Sequence, residues 1–275
     1  MNLVITTAHN LTWKDLAPFV VSLWRTGHRG LVVFCRDTEP AVLHGLEGYG
    51  AWVIPYGEHP YLPSYYNFEG KFAGRQFGAL SSVCYRFLMY FMFLVDERAR
   101  WERVLMCDAR DVVFQADPFA WNTTSRLVTF GEHPRMTLGA CPYNSRWLKK
   151  WFPKEFEWLS HRMILCAGAT YGTMDAVIEY CDVMVAYLSR LNPGLGTGPD
   201  QAIHNVLFHR GLITGATYET IESTTVRTVG YELPGTVRID KDSGLVVNGE
   251  GRTVRVVHQY DRHPEVAKHL EHLWA

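Results

Sequence analysis

Two aspartates, Asp108 and Asp111, sit in the segment Arg103-Val-Leu-Met-Cys-Asp108-Ala-Arg-Asp111-Val-Val-Phe114, just past an apolar run. In open α/β sheets the ligand crevice lies outside the carboxyl ends of the strands. Two carboxylates placed there, about one turn apart, can share a hard divalent cation. Mg²⁺ and Mn²⁺ prefer oxygen ligands and bridge a pyrophosphate readily. The plainer reading is a pair of turn carboxylates, one of them paired with Arg110. A second feature is His258, which ends the apolar run Val254-Arg-Val-Val257 and opens His-Gln-Tyr-Asp-Arg-His263. A histidine after a strand is often a structural residue, but an imidazole can complete an oxygen-rich Mn²⁺ site. Taken with the aspartates, His258 favours the metal.

Two further segments carry possible chemistry. Cys166-Ala-Gly-Ala-Thr-Tyr-Gly172 reads as a strand running into a small-residue turn, where a ligand can approach the backbone closely. Its spacing is not a dinucleotide-binding Gly-x-Gly-x-x-Gly, and it does not follow the first strand. Gly198-Pro-Asp-Gln201 opens a helix, where Asp200 could serve as a cap or face a substrate.

These residues need a scaffold, and the chain alternates in the way a parallel sheet requires. Leu3–Thr7, Leu31–Cys35 and Ala51–Ile54 are short apolar runs suited to buried strands. Between them Thr12–Leu23 is spaced as a helix, with Thr12 and Asp15 as a capping box, and Pro40–Leu46 as a shorter one. This β-α-β-α-β rhythm predicts a Rossmann-like sheet. Ser81–Arg98 follows as a helix, then strands at Arg103–Cys107, Val112–Phe114 and Leu127–Phe130. Pro142–Leu159 reads as two helical pieces around Pro153. Met174–Leu191, Asp200–His209 and Pro264–Trp274 are predicted helices, and 216–260 short strands with turns at Pro234-Gly235 and Asn248–Gly251. The Gly-, Pro- and Tyr-rich stretch 55–78 reads as a long loop, with Lys71, Arg75, Tyr61, Tyr65 and Tyr66 as donor-closure or acceptor contacts. Asn192–Pro199 reads as a flexible loop.

Composition sets limits on partners. With 275 residues, 47% hydrophobic and 20% charged, the chain can bury one large core. A formal net charge of −1 gives no basic field for nucleic acid or an anionic membrane. The most apolar stretch, Phe87–Val95, is about half the length of a bilayer span. None of the six cysteines forms a Cys-x-x-Cys pair, so free buried thiols and a cytoplasmic setting are expected.

In their order along the chain these features resemble the GT-A glycosyltransferases, most closely the retaining family-eight, glycogenin-like enzymes. Ile5-Thr-Thr-Ala-His-Asn10 stands in the place of their base-binding strand, and Cys84-Tyr-Arg86-Phe-Leu-Met-Tyr90 in that of the helix before the metal motif. Asp108-x-x-Asp111 resembles their Asp-x-Asp, one residue longer. Cys166-Ala167-Gly168 matches their Asn-Ala/Ser-Gly with Cys for Asn. Asp200-Gln201, with Asn205 after it, and His258 match their later motifs. The resemblance implies a single α/β GT-A domain over 1–275: a Rossmann-like, mostly parallel sheet flanked by helices, with a small antiparallel C-terminal portion. Residues 1–115 would hold the nucleotide, and 116–275 the donor sugar and acceptor. It implies Mn²⁺ or Mg²⁺ on Asp108, Asp111 and His258. Donor contacts would come from Thr6, Thr7, Ala8, Asn10, Arg86, Asp108, Ala109, Arg110, Cys166, Ala167, Gly168, His258 and Arg262. Asp200 and Gln201 would face the sugar, with Asp200 the candidate base if configuration inverts. A nucleoside diphosphate sugar, a UDP-sugar favoured, would pass its sugar to an acceptor glycan, protein or small molecule. The rivals are a sugar-nucleotide pyrophosphorylase, whose basic Gly-rich loop Thr6–Trp13 lacks, and a non-catalytic nucleotide-sugar-binding domain.

Overall fold

Alternation along the strands explains the architecture. A computed structural model describes residues 1–56, 81–121, 123–191 and 198–274. The segment 57–80, with Tyr61, Tyr65, Tyr66, Lys71 and Arg75, and most of the 192–199 loop lie outside the described residues. In β1 (Asn2–His9) Leu3 and Ile5 face one layer, and Val4 and Ala8 the other. β2 (Leu31–Arg36) sends Val32 and Phe34 one way and Leu31, Val33 and Cys35 the other. β4 (Arg103–Cys107) divides Val104 and Met106 from Leu105 and Cys107. Strands apolar on both faces require cover on both faces, the signature of a parallel α/β sheet.

That sheet has seven strands in the order β3-β2-β1-β4-β7-β6-β8, with β3 Trp52–Pro55, β6 Leu127–Gly131, β7 Leu165–Thr173 and β8 Ala216–Glu219. Pairings β1–β2, β2–β3, β1–β4 and β6–β8 are parallel, and only β7 runs against its neighbours. One face is covered by α3 (Ser82–Asp96), α6 (Met174–Leu191) and part of α7 (Pro199–His209). The other is covered by α1 (Trp13–Arg25), α2 (Pro40–Gly48) and a second sheet. The Thr12–Asp15 capping box that starts α1 is formed in both directions. Pro153 divides α4 (Pro142–Trp151) from α5 (Pro153–Leu159), as a ring without an N–H must.

The second sheet has three strands, β5 (Val112–Phe114), β10 (Val256–His258) and β9 (Val226–Thr228), with β10 central. β10 pairs antiparallel with β5 and parallel with β9, setting His258 beside Val112 and Thr228. Ser22 of α1 ties it to the main fold by accepting from Phe114 N at 3.0 Å. The C-terminal helix α8 (Pro264–Trp274) packs Val266 and Leu270 against Val113, Val257 and Tyr260.

Candidate metal centre and binding cleft

Asp108 leaves the end of β4, and Asp111 enters β5 three residues later. The acidic turn therefore passes from the large sheet to the small one. Gln259 N donates to Asp111 O at 2.8 Å, continuing the β5–β10 ladder and bringing His258 to the turn. One ligand atom from each of Asp108, Asp111 and His258 lies within 4.8 Å of the others. His258 Nε2 is 3.5 Å from Asp108 Oδ2 and 3.7 Å from Asp111 Oδ1, beyond good hydrogen-bond lengths. That nitrogen is buried and without a hydrogen-bond partner among the described residues. A buried orphan nitrogen between two carboxylates suits a divalent cation with mixed oxygen and imidazole ligands. Gly168 keeps the space open: a Cβ there would lie 2.5 Å from both Asp108 Oδ2 and His258 Cε1.

The segment holding Gly168 is not a turn, as small residues suggest, but part of β7. There Thr129 pairs with Thr170 while the next residue of β6, Phe130, pairs with Cys166. Residues 167–169 bulge out of that pairing yet stay tied to β4, with Asp108 N donating to Gly168 O at 2.9 Å. α7 holds the bulge from the other side. Gln201 Oε1 accepts from Ala167 N at 2.9 Å and its Nε2 donates to Leu165 O at 2.7 Å. Asn205 exchanges a pair of bonds with Leu165 N and O, both 2.9 Å. Gln201 thus lines the cleft while its amide is engaged by backbone.

Arg86, on α3, is buried beneath the acidic turn. It pairs with Asp108 through Nη1, approaches Asp200 Oδ2 at 3.5 Å through Nη2, and donates to Ala167 O at 3.3 Å. Burial alone would depress its pKa, but Asp108 and Asp200 outweigh that and hold it charged. Burial pushes Asp108 up, and Arg86 and His258 together more than reverse this, placing the carboxyl below its usual range. Asp111 and Asp200 are raised by burial, His258 and Arg86 respectively opposing the shift. Arg110 pairs with Asp261 at 3.0 Å rather than with either aspartate of the turn.

Two concavities meet at Asp108. A cavity of about 750 Å³ is lined by Arg86, Asp108, Cys166, Ala167, Gly168, Asp200, Gln201 and Arg262. A groove of about 270 Å³ runs past Thr7, Ala109, Arg110 and Asp111. Of the N-terminal strand, Thr7 reaches this groove, together with His9 and Leu11, while Thr6 and Ala8 are buried in the sheet and Asn10 is exposed at φ +52°. The large cavity also has walls that the sequence did not single out: Glu132, Tyr143, Asn144, Trp147, Tyr231 and Gln259. Glu132 follows β6, and burial raises its pKa to about 7 against the opposing hydrogen bond of Cys166. Glu132 Oε2 and Gln259 Oε1 are buried without partners among the described residues. Gln259 also holds a left-handed φ of +60°, which a non-glycine residue adopts at a cost. None of these has a spacing signal in the sequence, although Gln259 directly follows His258.

All six cysteines are free and buried, as expected. Among the described residues no helix is long and apolar enough to cross a membrane. No family model and no curated protein matches the chain. Among solved structures, the galactosyltransferase LgtC in complex with donor and acceptor sugar analogues is similar at 14% identity, covering 94% of this chain and 86% of LgtC. Its TM-score is 0.49.

Proposed function

We propose that this chain is a GT-A-type glycosyltransferase that uses Mn²⁺ or Mg²⁺ to move a sugar from a nucleoside diphosphate donor, a UDP-sugar favoured, to an acceptor with retention. The observation that carries the reading is the convergence, where groove and cavity meet, of Asp108, Asp111 and a His258 Nε2 that has no hydrogen-bond partner among the described residues. Asp108, Asp111 and His258 would hold the cation, which when bound supplies Lewis-acid neutralisation of a diphosphate leaving group. Residues 1–115 would hold the nucleotide: Thr7, Ala109 and Arg110 line the groove, with Thr6, Ala8 and Asn10 contributing backbone around it. Residues 116–275 would hold sugar and acceptor. Arg262 lines the large cavity and is suited to a phosphate.

Arg86 is committed to Asp108 and Asp200, so its part is to fix those carboxylates and to add positive charge beside the phosphates. Asp200 and Gln201 line the sugar side with Cys166, Ala167 and Gly168. Gln201 contributes by holding the Ala167 backbone, and Asp200 is the carboxylate available to the reacting sugar or, with inversion, to the acceptor hydroxyl.

Thermal shift with nucleoside diphosphates, with and without Mn²⁺, tests this reading. Stabilisation requiring both is expected, because a ligand bound only to the native state raises stability. Metal-dependent hydrolysis of a UDP-sugar, assayed next, separates an enzyme from a binding domain. No response to any nucleotide with cation present rejects the proposal.

A further inference from the structure

The imidazole of His258 has two nitrogens with opposite surroundings. Nε2 faces the aspartates and has no hydrogen-bond partner among the described residues. Nδ1 lies 3.2 Å from Thr228 Oγ1 and 3.8 Å from Cys166 Sγ. Thr228 and His258 are both fully buried and directly opposite each other in the β9–β10 register. The other two register pairs of these strands are Val226 with Val256 and Arg227 with Val257. A fully buried hydroxyl is costly unless bonded, and a valine would fill the same volume. The recorded partner of the Thr228 hydroxyl, among the described residues, is the His258 ring.

We infer that Thr228 is a positioning residue for the cation: its hydroxyl accepts the Nδ1 proton of His258 and so leaves the Nε2 lone pair facing Asp108 and Asp111. The inference rests on the metal-site reading given above. A neutral imidazole carries one N–H, so a bond at Nδ1 decides which nitrogen can coordinate. Cys166 Sγ, farther away, is the weaker acceptor for the same proton. Partners of this kind orient ligand rings and raise their basicity, and their loss typically weakens metal binding by about 10- to 100-fold.

The test is direct Mn²⁺ titration of the donor-free protein, followed by the electron paramagnetic resonance of free Mn²⁺. Thr228→Val should weaken binding by at least about 10-fold, and Thr228→Ser, which keeps the hydroxyl, should bind as wild type. The ¹⁵N shifts of His258 in the Mg²⁺-loaded protein give a readout that loss of packing would not move. A protonated Nδ1 and a coordinated Nε2 are expected in wild type, and a mixture of tautomers in Thr228→Val. If the valine variant does not fold, Thr228→Ala takes its place in both measurements. Wild-type affinity in the variant that lacks the hydroxyl overturns the inference while leaving the metal site intact. Absence of Mn²⁺ binding by wild type itself removes the metal site, and the inference with it.

Discussion

Asp108 and Asp111 bracket a single turn, yet different sheets carry them and treat them differently. Asp108 extends β4 of the large sheet and receives the buried guanidinium of Arg86, which with His258 overcomes burial and holds it below the usual carboxylate range. Asp111 leads into β5 of the small sheet, and among the described residues its recorded ion partner is His258, itself without a hydrogen bond at Nε2. Burial raises its pKa. The large sheet therefore supplies a carboxylate already neutralised and fixed in place. The small sheet supplies a carboxylate and an imidazole that lack such a partner among the described residues, the place the proposed cation would fill. A guanidinium and a divalent ion do similar electrostatic work on neighbouring groups; here the guanidinium is built in, and the ion is the proposed addition.

The largest effect should follow from removing the permanent partner. Arg86→Met leaves Asp108 and Asp200 without their buried cation, and a lost partner of this kind costs about 3–5 kcal/mol. Denaturant unfolding should show that loss, and an unchanged midpoint would show that Asp108 does not depend on Arg86. Asp111→Asn strikes the other side. It should leave folding stability equal or slightly higher, since a buried carboxylate with a raised pKa becomes neutral. Turnover should fall roughly 100- to 1,000-fold, the scale of deleting one preorganised electrostatic group. A variant turning over donor at the wild-type rate would remove Asp111 from the cation site.

Glu132 sharpens the comparison, because it too is a buried carboxyl with no guanidinium in ion-pair contact among the described residues, and its pKa stands near 7 rather than the ordinary 4.5. A raised carboxyl favours the native state when protonated. Its contribution is present below the ordinary value and is lost as pH rises through about 7. Glu132→Gln stays neutral throughout, so the variant should match wild type near pH 4 and become more stable than it by pH 8. The difference should approach ~3 kcal/mol. Parallel Tm curves from pH 4 to 8 in the ligand-free protein would show that Glu132 is already compensated.

The elements were legible wherever periodicity was long or punctuation sharp. The strands at Arg103–Cys107 and Val112–Phe114, the break at Pro153 and the helices Met174–Leu191 and Pro264–Trp274 lie where apolar spacing and proline put them. The acidic turn and His258 were legible as chemistry, and the structure brings them together. Thr228 and Glu132 were not, because their importance comes from strand register and from the direction of a strand end, and neither leaves a local pattern. Small residues at 166–170 mark close approach, but they cannot distinguish a turn from a bulge. That distinction depends on β6 and β4 pairing the same strand at different registers. Asp-Gln at a helix start gives no local sign that the Gln201 amide bonds the β7 backbone while both residues line the cavity.

The bulge in β7 has a consequence for how this molecule can change over generations. A strand paired without a break cannot gain or lose a residue without turning every later side chain to the wrong face. Residues 167–169 are spare contour length between two correctly paired flanks on β6. The β6 flanks would keep their frame through a change of length there, but the bonds between Asp108 and Gly168 and between Gln201 and Ala167 fix the same residues on the β4 and α7 sides. The cleft floor is thus slack toward one neighbouring strand and pinned toward the other, so its sequence can drift on the β6 side while its length is held by β4 and α7.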